Sequence, residues 1–231
     1  MTDPSNQIGV YLEIGSKRTL AGALDWPGWC RGGRDVEAAL QALIDYGPRY
    51  ERVLRAAVLQ FQAPANASDM VVVERVAGNT TTDFGAPDVP PSGDTAPVDD
   101  VELVRLQELL KACWLAFDAA AQATEGKELR KGPRGGGRDL QGIVRHVVEA
   151  EASYLTRLGG KRPNQGHDAV DVSLLVERQR QAILDTLAVA GRGELPLEGP
   201  RGGSRWTPRF FVRRDAWHVL DHVWEIEDRV L

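Results

Sequence analysis

Asp83-Phe-Gly-Ala-Pro-Asp-Val-Pro-Pro-Ser-Gly-Asp-Thr-Ala-Pro-Val98 is the stretch that decides how this chain of 231 residues divides. Four prolines (Pro87, Pro90, Pro91, Pro97) fall within eleven residues. Proline lacks the amide hydrogen that a helix or a sheet ladder needs, so regular structure is interrupted here. The stretch reads as an extended, fairly stiff connector over residues 83–99. It separates a β-α part at 1–82 from a helical part at 100–231, and the fold class expected is α+β.

Upstream of the connector the pattern mixes periods. Ile8 to Ile14 alternates well enough for a strand, and Thr19 to Leu24 is its hairpin partner across Gly15-Ser-Lys-Arg18. Asp35 is a suitable N-cap for a helix over Val36–Tyr46, with Ala39, Leu40, Leu43 and Ile44 on one face. Met70 to Val76 is rich in β-branched residues and reads as another strand.

Downstream, four amphipathic segments follow. Leu103, Leu106, Leu110, Cys113, Trp114, Phe117 and Ala121 form one stripe of the first. Asp139 caps the second, whose stripe is Ile143, Val147, Ala150, Tyr154 and Leu158, and Gly159-Gly160 ends it. The third runs from about Val170 to Ala190. Thr207 as N-cap and Pro208 as first residue open the fourth. Four such helices make a four-helix bundle the default packing.

Composition narrows the function classes. A hydrophobic fraction of 42% and a charged fraction of 26% suit a globular protein and exclude collagen-like and disordered chains. A net charge of −5 argues against a nucleic-acid footprint over the whole surface, so no nucleic-acid partner is expected. No apolar run spans a membrane and Met1-Thr2-Asp3-Pro4 lacks a signal-peptide pattern, so a cytoplasmic protein without a membrane partner is expected. Cys30 and Cys113 lie far apart with no CxxC, and they read as two reduced thiols.

The chemistry concentrates in histidines. His218 and His222 stand at i and i+4 in Trp217-His-Val-Leu-Asp-His222, which stacks both rings on one side of a helix. Val219 occupies the place where an HExxH enzyme needs glutamate, so that class is out. Such a pair equally suits a polar helix flank. His146, beside the stripe of the second helix, adds a third imidazole at similar depth. Three neutral imidazoles plus water form a standard set of ligands for a divalent metal with open positions. Asp221 and Glu225 either orient an imidazole or form a solvated acidic edge. Cys113 lies on an apolar face and reads as core. His167 reads as solvated, Gly135-Gly-Gly137 as a flexible loop, and Trp217 and Trp224 as core packing.

Two resemblances follow from these motifs. Ala21-Gly-Ala-Leu-Asp-Trp-Pro-Gly-Trp-Cys30, with Gly33-Arg-Asp-Val-Glu-Ala-Ala-Leu40, resembles the HicB-like domain, a small β-rich fold found as the antitoxin half of toxin–antitoxin pairs. No Lys-rich DNA-binding segment follows it, so a recruited dimerisation or ligand-sensing module is expected. Ile143-Val-Arg-His-Val-Val-Glu-Ala-Glu-Ala-Ser-Tyr-Leu155 and Ala216-Trp-His-Val-Leu-Asp-His-Val-Trp-Glu-Ile-Glu-Asp228 make residues 100–231 resemble the DinB/YfiT superfamily of metal-dependent four-helix bundles.

The second resemblance implies an up-down-down-up bundle, with its crossover at 159–168. It also implies His146, His218 and His222 as metal ligands. Zinc or nickel is the metal expected. The implied activity is a metal-dependent transferase using a low-molecular-weight thiol (bacillithiol or mycothiol), or a hydrolase acting on a small-molecule substrate. The alternative is a non-catalytic stress-response or ligand-sensing protein with a structural or absent metal. A homodimer is expected, since bundles of this kind pair and a small sheet leaves edge strands open.

Overall fold

The computed structural model describes residues 7–57, 59–131, 136–163, 172–200 and 202–231. It is an α+β chain with a four-stranded sheet towards the N-terminus followed by helices. The strands are β1 (Ile8–Ile14), β2 (Thr19–Ala23), β3 (Cys30–Gly33) and β4 (Met70–Ala77), in the order β3-β2-β1-β4. β2 runs antiparallel to both of its neighbours, while β1 and β4 pair in parallel from Ile8 opposite Met70. Six helices occur among the described residues: α1 (Val36–Ala56), α2 (Thr80–Phe84), α3 (Asp100–Ala123), α4 (Leu140–Leu158), α5 (Val172–Gly191) and α6 (Pro208–Arg229).

Both faces of β1 are covered. Val10, Leu12, Tyr11 and Glu13 are all buried, although their side chains alternate between faces. Gly22 on β2 makes room for the Tyr11 ring: a Cβ there would lie 2.5 Å from Tyr11 Cε1. α1 packs on β2 and β3 and continues onto α3. One apolar core runs unbroken from Val10, Leu12 and Trp29 through Leu43 and Leu54 to Leu110, Ile143, Ile183 and Val223.

Three features depart from the sequence expectation. α1 extends to Ala56, ten residues past the expected end at Tyr46, with Pro48 inside it. Burial of Tyr50, Val53 and Leu54 beyond the proline offsets the lost backbone hydrogen bond. β3, which is not among the expected strands, is a fourth strand held by the register of β2, with Thr19 opposite Gly33. The connector is not simply extended either. It begins in α2, whose C-cap Gly85 adopts φ +105°, and carries a 3-10 turn over Ser92–Thr95.

That connector is a strap tied down on both sides. Buried Glu13 on β1 accepts the Thr82 hydroxyl and the amide hydrogens of Asp88 and Val89. Glu74 on β4 accepts the Ser92 amide at 3.0 Å. Asp94 receives Arg213 of α6 through two bonds, Nε at 2.7 Å and Nη2 at 2.8 Å. Arg213 also donates to the carbonyls of Ala23 and Leu24, at 2.7 and 2.9 Å. Every arm of this buried guanidinium is satisfied, as a buried charge requires.

The helical half follows the expected boundaries closely. Asp99, Asp139 and Thr207 each accept a backbone amide as N-caps of α3, α4 and α6. Gly159, at φ +115°, closes α4 in the left-handed region that favours glycine. α3 packs on α5 and α6, and α4 on the same two helices. α6 is buried on all sides from Phe210 to Leu220, including Arg213, Arg214, Asp215 and His218. Half of the expected crossover, residues 164–168, lies outside the described residues, and His167 with it. No helix among the described residues is long and apolar enough to cross a membrane.

Candidate metal centre

His146 comes from the middle of α4, and His218 and His222 from successive turns of α6. The packing of α4 on α6 brings the three rings together. One ligating atom from each lies within 4.8 Å of the other two. His146 Nε2 and His218 Nε2 stand 3.2 Å apart. Two nitrogens bound tetrahedrally to zinc at about 2.0–2.1 Å are separated by roughly 3.3 Å, so this pair already has the spacing of ligands. The ring centroids lie 5.0 Å apart for His146 with either partner and 4.7 Å for His218 with His222.

Protonation suits a cation. Burial pushes His218 down to about 2, with the charges of His222 and Arg214 acting in the same direction. Burial likewise lowers His146, aided by Arg138 and His222. Both rings are therefore neutral near pH 7 and offer lone pairs, which metal ligation requires.

Of the two carboxylates that flank the pair, one supports it. Glu225 Oε2 accepts Nδ1–H of His222 at 2.7 Å, which leaves His222 Nε2 as the lone-pair nitrogen. Arg229 donates to the other Glu225 oxygen and holds the carboxylate in place. Asp221 turns away and pairs with Arg31 of β3 at 2.9 Å. Among the described residues His218 has no such partner: its Nδ1 is buried without a hydrogen bond. The centre opens to solvent at His146, which is half-buried, while His218 and His222 are 7% and 8% exposed.

The remaining sequence candidates fall where their types suggested. Cys30 and Cys113 are free and buried, and burial pushes both thiols upward, Cys30 to about 12. Neither is a nucleophile near neutral pH. Trp224 packs edge-on against Tyr46 at 4.8 Å, and Trp217 sits with Leu20 and Cys30, so both are core residues. Gly137 lies against Arg229, whose Nη2 donates to the Arg138 carbonyl, while Gly135 lies outside the described residues.

Several polar groups near the centre went unread in the sequence. Asp215 and Glu151 are fully buried on α6 and α4. Glu151 accepts Trp114 Nε1–H at 2.5 Å, and burial pushes its carboxyl up to about 7. Asp215 is also pushed up by burial, and the charge of Glu151 adds to the shift. Arg214 lies one turn before His218. The signal available was a run of charges inside an otherwise apolar stretch, Phe210 to Leu220, spaced three and four residues from a histidine. Two grooves of about 690 Å³ lie away from the histidines, one beside Trp26 and Phe61 and one between α1, α3 and α6. No protein-family model, curated protein or solved structure matches the chain.

Proposed function

We propose that α3–α6 form an up-down-down-up bundle of the DinB/YfiT kind, in which His146, His218 and His222 hold one divalent first-row ion, zinc or nickel. The protein is then a metal-dependent enzyme, a transferase using a low-molecular-weight thiol or a hydrolase of a small molecule. The observation that carries this reading is the convergence of three imidazoles from two helices, one side of which faces solvent. A divalent ion bound there supplies Lewis acidity that lowers the pKa of a coordinated thiol or water.

The chain's own residues supply the rest. Glu225 fixes the tautomer of His222, and Arg229 fixes Glu225. The rings of Tyr154 and Trp217 stand beside His218, at 5.7 and 6.2 Å between centroids. With both thiols buried, the nucleophile comes from the substrate pair.

A sensing role with a structural metal is the second reading. It is favoured by α6, which carries two of the three histidines and also Arg213, the residue that fixes the strap and the end of β2. A homodimer fits the open edge of β4, where Val71 and Val73 are 39% and 63% exposed. Light scattering at micromolar concentration tests it, and a monomeric mass removes it.

Metal analysis of the untagged protein, followed by a thiol-consumption assay with bacillithiol, mycothiol and a panel of electrophiles, tests the enzyme. Stoichiometric metal with metal-dependent turnover is expected. Stoichiometric metal without turnover of thiols or hydrolysable esters selects the sensing role with a structural metal, and absence of metal uptake overturns the enzyme and leaves the sensing role without a metal.

A further inference from the structure

Arg214 is 91% removed from solvent, yet no carboxylate among the described residues pairs with it. Its Nε and Nη1 are buried without an acceptor among those residues. Its neighbour Arg213 has an acceptor for every arm, and Arg31, Arg180 and Arg209, each with a buried Nε lacking an acceptor, are all paired with a carboxylate. The Arg214 guanidinium lies over the Tyr154 ring at 5.3 Å and the Trp217 ring at 4.8 Å. Both rings are also neighbours of His218. A buried cation with free donors, one helical turn from a metal ligand, persists where a ligand brings the acceptor.

The surroundings favour negative charge. Asp215 forms no ion pair with Arg214: among the described residues neither of its oxygens accepts a hydrogen bond, and burial favours its neutral form against the opposing charge of Arg214. Arg138, exposed at the start of α4, adds a second positive charge near His146 and His218. Together they draw an anion towards the centre.

We infer that the small molecule handled at this centre is an anion, its carboxylate or phosphate group received by Arg214 while its reactive atom reaches the space between His146, His218 and His222. This assignment rests on the metal-centre reading above. Arginine is suited to the role because its planar donors match an oxyanion and its face stacks on aromatic rings. Arg214 is thus the specificity-determining residue of the site.

The test uses the full chain loaded with cobalt(II) and follows its visible absorption. The protein is titrated with 3-mercaptopropionate and with the uncharged 2-mercaptoethanol. The acid is expected to bind about 10-fold to 100-fold more tightly, the range of a charge-assisted hydrogen bond. Arg214→Met is expected to erase that preference while cobalt stoichiometry and the affinity for 2-mercaptoethanol stay unchanged. Should R214M not fold, Arg214→Lys reads the same property, with a several-fold loss of the preference expected from the lost planar donors. Inorganic phosphate separates the two oxyanions. Competition against the acid assigns a phosphate-accepting site, and its absence assigns a carboxylate site. Equal affinities for acid and alcohol in the unmodified chain, or an undiminished preference in the variant that folds, overturn the assignment. Failure to take up cobalt is seen separately in the stoichiometry and overturns the metal centre instead.

Discussion

Glu225 and His222, three residues apart on α6, share a hydrogen bond of 2.7 Å that decides which imidazole nitrogen faces His146 and His218. A carboxylate behind a histidine ligand raises its basicity and locks its ring. Glu225→Gln is therefore expected to weaken metal binding by about 10-fold to 100-fold, measured by competition with a chelator. Asp221→Asn, whose carboxylate serves Arg31 instead, is expected to leave that affinity unchanged.

Removal of a ligand is a harsher change. His146→Ala, His218→Ala and His222→Ala should each abolish stoichiometric metal by elemental analysis. Two imidazoles and no third protein donor fall short of the three that catalytic zinc sites use.

Metal should also act on stability. An ion that binds only the folded chain adds about 2.7 kcal/mol at a hundredfold excess over its dissociation constant. For a chain of this size that raises Tm by about 5–10 °C. Because one core joins the sheet to the helices, the gain should appear in a single calorimetric transition. Two transitions, of which metal moves one, would count against that coupling.

The buried carboxyl of Glu151 predicts a pH dependence with a definite sign. Folding raises it from 4.5 to about 7, so between those values the folded chain holds the extra proton. Its contribution is complete below about pH 4.5 and is lost as pH rises through about 7, on the order of 3 kcal/mol in all. Urea unfolding of the metal-free protein at several pH values should show Glu151→Gln gaining on the unmodified chain across this window. His218 works in the opposite direction. Its folded value of about 2 makes stability fall as pH drops below 6.5, and a His218→Gln variant should lose that slope.

Asp94 and Arg213, 2% and 4% exposed, form the buried pair that ties strap to helix. Asp94→Ala leaves the guanidinium without its carboxylate and is expected to cost about 3–5 kcal/mol in urea unfolding. A cost below about 1 kcal/mol, typical of an exposed pair, would mean that water reaches Arg213.

Local pattern reached far along this chain, and its failures share a cause. β1, the caps Asp35, Asp139 and Thr207, and the end of α4 at Gly159 are all written in short-range chemistry. β3 is not, because Cys30-Arg-Gly-Gly33 has no alternation and exists only as a partner of β2. α1 runs through Gly47-Pro48 because residues beyond them are buried by tertiary contacts. The histidine triad was legible from spacing and depth. The choice between Asp221 and Glu225 was not, since Arg31, which claims Asp221, lies 190 residues away. Arg213 and Arg214 are adjacent in sequence and both buried, and only the partners met in the fold, Asp94 for the first and no carboxylate among the described residues for the second, set the two apart.

The bonds of Arg213 also bear on how fast the chain folds. It joins Asp94 from 119 residues away and Ala23 from 190. β1 and β4 are likewise parallel neighbours separated in sequence by β2, β3 and α1. Contacts between such distant positions require closure of long loops before they return any energy, which slows the crossing of the folding barrier. Seating α6 between the sheet, the strap and α4 closes several of these long loops at once, and until it is seated the hydrophobic faces of both halves stay open to aggregation.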